Sequence, residues 1–225
     1  MVNNETRTLV EQGSTACGLS LDEGQLHQLL VYIQEIELWN PRYKLVSADH
    51  NDLIYRHIID SLAPVPILTR VIKEIAGEHP LELADVGSGN GMPGIPLAVA
   101  YPDLSFTLIE RSGRRAGFLR NALAVTGLSP RVSLIEYDLS EVKKQFDILI
   151  FRAFRPLPDI FDELDTMLIP GGVMFAYKSR KASLDAELEV LGKERLRGYE
   201  VQQVPYESPR LNADRRVCII RKHSR

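Results

Sequence analysis

The chain has 225 residues, with 27 Lys and Arg against 30 Asp and Glu, and a formal net charge of −3. This balance excludes a histone-like polycation, a strongly basic RNA-coating protein and an acidic disordered chain. With 44% hydrophobic and 25% charged residues, the composition is that of a globular protein large enough to bury a core without disulfide or metal staples.

The two cysteines, Cys17 and Cys218, lie far apart in the chain and indicate neither a disulfide framework nor a zinc site, so no metal is expected. The sequence has no apolar run long enough to span a bilayer, and its first residues lack a signal-peptide pattern. We therefore expect a cytoplasmic protein without membrane association, and we expect it to be a monomer.

Residues 21–76 show helical periodicity, with apolar side chains three and four positions apart. The first helix is predicted to begin at a capping box formed by Ser20 and Glu23. It is predicted to end at Asn40-Pro41, because the residue before a proline disfavours the helical conformation. Two more helices are predicted over residues 52–62 and 65–75.

From residue 81 onward, short apolar segments alternate with helical patterns. We predict strands over residues 81–86, 105–109, 132–135, 148–151, 172–177, 199–204 and 216–220. We predict helices over residues 96–100, 114–125 and 158–168. This alternation indicates βαβ units and a mostly parallel sheet, and the turn-rich interval before the last strand predicts an antiparallel edge pair.

The predicted fold is therefore an α/β protein with a doubly wound, Rossmann-like sheet and an N-terminal helical region. We assign residues 1–78 to helices packed on the sheet and residues 79–225 to a ligand-binding domain. In an open α/β sheet, ligands bind at the carboxyl ends of the strands.

A glycine-rich loop follows the first predicted strand, with Gly87, Gly89 and Gly91 at alternate positions and Asp85 two residues before them. Glycines permit positive φ and close approach of a ligand to the backbone. A dinucleotide fingerprint needs a third glycine where Met92 stands. S-adenosylmethionine carries an ammonium and no phosphate, so a carboxylate near the loop suits that cofactor and would repel a pyrophosphate.

Glu110 ends the second predicted strand and supports the same cofactor, since a carboxylate there can accept hydrogen bonds from both ribose hydroxyls. A Walker phosphate-binding pattern is absent from the loop. The sequence therefore predicts an S-adenosylmethionine site over the first two strands. A glycine-rich turn without a ligand and a nicotinamide nucleotide site are the alternatives.

The acceptor of the methyl group is predicted from the end of the fourth strand. Amino-group methylases usually carry an Asn/Asp-Pro-Pro-aromatic tetrad there, and residues 150–156 lack it. Pyrimidine carbon-5 methylation needs a cysteine nucleophile, and neither cysteine lies at a suitable strand end. An acceptor that is nucleophilic at neutral pH, such as guanine N7, remains. Side chains cannot reach N7 in the deep groove of an RNA helix, so the target nucleotide should be opened.

Several segments occur in the order found in one known family. They are Trp39-Asn40-x-x-Tyr43-x-Leu45, Arg56-His57-Ile58-Ile59-Asp60-Ser61, Asp85-Val86-Gly87-x-Gly89-x-Gly91-x-Pro93-Gly94-Ile95-Pro96, Gly113-Arg114-Arg115, Arg152-Ala153-Phe154 and Lys178. Over residues 21–221 the chain resembles the RsmG (GidB) family of bacterial 16S ribosomal RNA guanine-N7 methyltransferases.

The resemblance implies roles for individual residues. Gly87 and Met92 would contact S-adenosylmethionine, Asp138 and Leu139 would hold its adenine, and Arg152 would line the site. For RNA binding or the reaction, the family implies Arg114, Arg115, Lys178 and Arg215, with Arg152 and Lys178 nearest to the chemistry. The implied partner is 16S ribosomal RNA or the small ribosomal subunit.

Two other classes remain open from the sequence: a nucleotide-dependent oxidoreductase on the same sheet, and a non-catalytic RNA-binding module that has kept the pocket. His57 and Trp39 are interpreted as packing residues on amphipathic helices. Basic residues cluster in two segments, 111–131 and 207–225. If the protein binds RNA, we expect these segments to supply much of the phosphate contact.

Overall fold

The computed structural model describes residues 4–77 and 79–224. Within them, seven strands form one sheet in the order β3-β2-β1-β4-β5-β7-β6. β7 runs antiparallel to both of its neighbours, and the other pairs are parallel. The strands are β1 (Glu82–Val86), β2 (Ser105–Ile109), β3 (Val132–Ile135), β4 (Phe146–Arg152), β5 (Leu168–Lys178), β6 (Tyr199–Pro205) and β7 (Arg216–Lys222). The predicted sheet and its antiparallel edge pair are confirmed.

Helices flank the sheet on both faces. They are α1 (Asn4–Ala16), α2 (Glu23–Tyr43), α3 (His50–Asp52), α4 (Asp60–Leu62), α5 (Val65–Ile75), α6 (Gly94–Ala100), α7 (Gly113–Val125), α8 (Leu157–Thr166) and α9 (Lys181–Arg195). A π-helical segment, Leu53–Ile59, joins α3 to α4, so the single helix predicted over 52–62 has a widened middle turn. α1 and α9 were not predicted.

The central strands β1 and β4 bury both of their faces. Along β4, Ile148 and Ile150 pack in one apolar core with the N-terminal helices, α6 and α7. Leu149 and Phe151 point to the opposite face and pack in a second core with α8 and α9. This alternation follows from the period of two along a strand. The N-terminal helices thus share a core with the sheet, while the predicted boundary at residue 78 falls outside the described residues.

Both ends of α2 differ from the prediction. The capping box is formed by Asp22 and Gln25: the Gln25 main-chain N–H donates to Asp22 Oδ1 at 2.7 Å, and the Asp22 N–H donates to Gln25 Oε1 at 2.9 Å. Asp22 and Gln25 are three residues apart, as are Ser20 and Glu23 of the predicted capping box. Asp22 also places a negative charge at the helix N-terminus, where it is favourable. The helix then continues through Pro41 to Tyr43, because the carbonyl that Pro41 leaves unbonded belongs to an exposed last turn.

Candidate functional site

A cavity of about 1090 Å³ opens at the carboxyl ends of β1 to β5. Each of these strand ends contributes residues to its wall, and the N-terminal helical region contributes residues of the loop before α3, of the π-helical segment and of α4. The topology therefore collects the polar residues that follow five strands into one place.

The glycine loop forms the wall next to β1. Gly87 and Gly89 both have positive φ, 69° and 59°, which side chains rarely adopt. A Cβ at position 87 would overlap the ring of Phe154, which follows β4. Ser88 fixes the loop to β2, because its hydroxyl donates to the Asp85 carbonyl at 2.9 Å and accepts from the Ile109 N–H at 3.1 Å. Position 87 therefore requires glycine, because its φ is positive and because a Cβ would overlap the Phe154 ring.

Glu110 lies in the cavity wall at the end of β2 and is buried. Its Oε2 accepts from the Gly89 N–H at 2.9 Å, and its Oε1 accepts from the Ser112 N–H at 2.7 Å. These bonds fix the carboxylate beside the glycine loop and leave acceptor sites for a ligand. The ribose contact of Glu110 stays a prediction.

Asp85 differs from the expectation, because its carboxylate does not reach the cavity wall. Oδ2 accepts from the Gly94 N–H at 3.0 Å, and among the described atoms Oδ1 has no partner. Burial raises the pKa of this carboxyl to about 7. Gly91 also lies behind the loop, where an added Cβ would meet Ile95 at 2.6 Å and the Tyr32 hydroxyl at 3.0 Å. Asp85 and Gly91 were expected to contact the cofactor directly, but neither lines the cavity. Both support the glycine loop from the side that faces away from the cavity.

After β3, Asp138 and Leu139 line the cavity as the resemblance implied. The Asp138 carboxylate caps the short turn Leu139–Glu141 and pairs with Arg111 at 3.2 Å. Its bond from the Ser140 N–H, followed by Arg111, lowers the pKa of Asp138 below its usual range. Tyr137, which the sequence analysis gave no role, also lines this wall and is 59% exposed.

Two predicted cations meet at one buried carboxylate on the other side of the cavity. Arg215 Nε donates to Asp60 Oδ1 at 3.0 Å, and Arg152 Nη1 lies 3.5 Å from Asp60 Oδ2. Arg152 Nη1 also donates to the His57 carbonyl at 3.3 Å. The structure thus brings Arg152, at the end of β4, and Arg215, before β7, to a residue of α4 that sequence reasoning missed.

His57 lies in the cavity wall, although the sequence analysis interpreted it as a packing residue. Burial, followed by the charge of Arg152, lowers the pKa of His57 to about 4. The imidazole is therefore neutral near pH 7. The helical pattern alone did not distinguish the cavity face of this segment from the core face.

Lys178 ends β5 in the cavity wall, and its Nζ lies 2.5 Å from Glu187 Oε2 of α9. The same oxygen accepts from the Leu157 N–H at 2.7 Å, at the start of α8. Both side chains are mostly buried. Glu187 was not predicted because α9 was not, and it commits the Lys178 charge to an ion pair.

The basic clusters are mostly paired, which changes the expectation drawn from charge. In the first cluster, Arg111 and Arg120 pair with Asp138 and Glu136, and Arg131 donates to main-chain carbonyls. In the described part of the second cluster, the residues paired with carboxylates are Arg215, Arg216, Arg221 and Lys222. Arg225 lies outside the described residues.

Arg114 and Arg115 are exposed at the start of α7, next to the cavity. Arg115 lies in the cavity wall, 4.0 Å from Glu110 Oε2. Arg114 makes no ion pair or hydrogen bond within residues 4–77 and 79–224. Of the residues predicted for RNA, these two have side chains that are most open to a phosphate.

Trp39 packs as interpreted, and both cysteines are buried. The Trp39 ring packs edge-on against Phe118 of α7, with centroids 5.7 Å apart. Cys17 and Cys218 are buried, and burial raises the pKa of each thiol to about 12. Neither is a thiolate at neutral pH.

The residues over β1 to β3 fit S-adenosylmethionine. The glycine loop offers a backbone surface that a Cβ at position 87 would obstruct, and the Glu110 carboxylate is fixed where a ribose can donate to it. Leu139 provides an apolar contact one strand further along, as an adenine ring requires. The order β3-β2-β1 therefore suits adenine, ribose and the methionine portion in sequence.

Comparison with known proteins gives the same family from two directions. Residues 25–210 match the family model described as GidB, rRNA small subunit methyltransferase G. The ribosomal RNA small subunit methyltransferase G of Cellvibrio japonicus is 33% identical over 223 residues, covering 97% of this chain and 96% of that protein. The protein of the same name from Cronobacter sakazakii is 34% identical over 228 residues, covering 98% of each.

Solved structures agree on the fold. A putative O-methyltransferase from Klebsiella pneumoniae aligns with a TM-score of 0.57 at 12% identity, over 86% of this chain and 90% of that one. A ribosomal protein L11 methylase from Lactobacillus delbrueckii subsp. bulgaricus aligns with a TM-score of 0.55 at 19% identity, over 80% and 83%. The sheet is thus that of the class I methyltransferases.

Proposed function

Because the chain belongs to the rRNA small subunit methyltransferase G family, we propose that it transfers a methyl group from S-adenosylmethionine to N7 of a guanine in 16S ribosomal RNA. The observation that carries the proposal is the family match over residues 25–210, a span that contains most of the cavity wall. The substrate is 16S ribosomal RNA, alone or within the small subunit.

S-adenosylmethionine, when bound, supplies a methyl group on a sulfonium. We assign its binding to the cavity half over β1 to β3: Gly87, Gly89 and Met92 form the loop surface, and Glu110 accepts from the ribose. Asp138 and Leu139 hold the adenine side. Asp85 and Gly91 support the loop from behind.

Methyl transfer to guanine N7 depends on positioning and electrostatics. Guanine N7 has a free lone pair at neutral pH, so no general base is needed. The chain's task is to hold N7 in line with the methyl group at near-attack distance. Arg152 and Lys178 line the opposite half of the cavity, where they orient the target nucleotide.

The test is to map N7-methylguanine in 16S ribosomal RNA from cells with and without this protein. One guanine should lose its modification in the absence of the protein and regain it when the purified protein and S-adenosylmethionine are added. An unchanged modification map would overturn the proposal. Adding NAD or NADP in a thermal-shift assay separates the oxidoreductase alternative, since only S-adenosylmethionine or its demethylated product should stabilise the protein.

Arg114 and Arg115 should bind RNA phosphates without contributing to cofactor affinity. Replacing both with Ala is expected to weaken RNA binding and to reduce the slope of log affinity against log salt by about 1 to 2, because each phosphate contact releases about one counterion. Titration calorimetry with S-adenosylhomocysteine should give an unchanged Kd. Equal losses of RNA and cofactor affinity would contradict this division.

No helix within the described residues has the length and apolarity needed to cross a membrane. We propose that the protein acts as a monomer in the cytoplasm, where its ribosomal substrate is found. Sedimentation with and without substrate RNA measures the oligomeric state.

A further inference from the structure

The cavity divides into two halves by strand order. The residues assigned to the cofactor follow β1, β2 and β3, which are adjacent in the sheet. β4, β5 and β7 lie on the other side of β1, and their ends contribute Arg152, Lys178 and Arg215 to the wall. If the proposed function holds, the target base must therefore enter the second half.

Asp60 is the carboxylate in that half that can still accept hydrogen bonds from a base. It lies in the cavity wall with a side chain that is 5% exposed. A single N–H of Arg215 is shared between its two oxygens, at 3.0 and 3.3 Å, and Arg152 lies 3.5 Å away. A carboxylate has about four lone-pair sites, so these contacts fix Asp60 without saturating it.

The other carboxylate described in this half, Glu187, is bonded to the main chain as well as to a side chain. Glu187 Oε2 accepts both the Lys178 ammonium and the Leu157 N–H. Glu110 accepts two main-chain N–H groups on the cofactor side. Asp60 thus differs from both, because each of them has a main-chain partner, whereas the partners described for Asp60, Arg152 and Arg215, are side chains of the cavity wall.

Guanine presents a complementary edge. When N7 points to the methyl group, the Watson–Crick edge points away from it, with the N1–H and N2–H donors side by side and O6 next to them. A carboxylate accepts the two donors together, and a guanidinium donates to O6. Adenine has an acceptor at N1, which a carboxylate repels. The Asp60–Arg152 pair matches guanine and rejects adenine.

We propose that Asp60 recognises the target guanine by accepting hydrogen bonds from its N1–H and N2–H groups, with Arg152 donating to O6. This inference rests on the proposed function and adds the residues that select the base. Asp60 also favours the reaction itself. Methylation moves the positive charge from sulfur to the purine, which makes N1–H and N2–H stronger donors. A carboxylate facing them therefore binds the transition state more tightly than the substrate.

The test combines a protein variant with a base analogue. Inosine retains N7, O6 and N1–H but lacks the N2 amino group. Ribosomal RNA ligated with guanosine or inosine at the mapped position is assayed with the wild-type protein, Asp60→Asn and the control Asp103→Asn, which makes the same change at an exposed site. Calorimetry with S-adenosylhomocysteine checks that each protein is folded.

The wild-type protein and Asp103→Asn should prefer guanosine over inosine in kcat/KM by at least tenfold. Asp60→Asn should lose at least tenfold on guanosine and reduce the preference to about twofold. If Asp60→Asn loses rate but keeps the full preference, Asp60 only supports the arginines and the inference is overturned. If Asp60→Asn does not fold, the wild-type comparison decides, since equal rates on both RNAs overturn it. Absence of wild-type methylation would instead overturn the proposed function on which it rests.

Discussion

Gly87 meets two constraints at once, since its φ is 69° and its missing Cβ makes room for Phe154. Gly87→Ala is expected to weaken S-adenosylhomocysteine binding at least tenfold, because the loop or the Phe154 ring must move into the space of the ligand. Gly127→Ala is the matched control: its φ is 70°, but no atom lies within 4 Å of an added Cβ. Calorimetry should show normal affinity for the control. Equal affinities in both variants would contradict the loop assignment.

Asp85 makes stability depend on pH. Burial raises its pKa to about 7 in the folded protein, from 3.8, so between these values the folded state binds more protons than the unfolded state. Its contribution to the free energy of unfolding is therefore present at low pH and lost as pH rises through about 7. Asp85→Asn removes this titration, and its stability relative to wild type should rise from pH 4 to pH 8.

Urea unfolding at several pH values measures this difference, with the exposed Asp103→Asn as control. The comparison between variants is needed because His57 acts in the opposite direction. Its lowered pKa, about 4, destabilises the fold as pH falls below about 6.5. If the difference in stability between Asp85→Asn and wild type does not change with pH, the pKa of Asp85 is not raised in the folded protein.

At the scale of elements, a buried hydrogen bond helps to hold α4 to the sheet, beside the ion pairs of Asp60. The Tyr177 hydroxyl at the end of β5 donates to the Ser61 carbonyl at 2.8 Å, and Tyr177 is 4% exposed. Tyr177→Phe leaves this carbonyl without a partner and is expected to lower the free energy of unfolding by about 1–3 kcal/mol. Urea denaturation measures the loss, and Tyr137→Phe, at an exposed ring, should cost much less. Equal costs would show that the bond does not secure α4.

The sequence predicted those elements in which apolar residues recur at regular intervals along the chain. β2 and β3 were predicted to the residue, since their apolar segments end at clear turns. α1 and α9 were missed because each buries few apolar side chains: α9 buries only Leu184 and Leu191 in its described length. The π-helical segment was predicted as part of an ordinary helix, because the spacing of apolar residues does not show where a helical turn widens.

The same limit applies to the site. Glu110 and Arg152 were predicted because they come at strand ends, which meet in an open sheet. Lys178 was implied by the family resemblance. Asp60 and Glu187 were missed because they come from helices, where periodicity does not separate a cavity face from a core face. Asp85 was predicted to contact the cofactor, but its side chain accepts from the Gly94 N–H and does not line the cavity.

At the scale of the molecule, the N-terminal helices share their core with the sheet. A chain of residues 79–225 would expose the face that carries Ile148 and Ile150, and would lose the Tyr32 hydroxyl that donates to the Asn90 carbonyl of the glycine loop at 2.6 Å. We expect this truncated chain to lack cooperative unfolding and cofactor binding. Near-ultraviolet circular dichroism and urea unfolding test this, and a folded, cofactor-binding product would show an independent domain.

Removing residues 1–18 alone should leave a folded protein of lower stability, since α1 buries only Val10 among its larger apolar side chains.

The position of β7 sets an order of assembly. β6 is synthesised before β7, yet it pairs only with β7, which in turn pairs with β5. During translation, β6 therefore has no partner strand in the described sheet until β7 has been synthesised. Arg215, directly before β7, reaches Asp60 in the same late step. The Arg215–Asp60 side of the cavity wall therefore depends on one of the last segments of the chain to be synthesised.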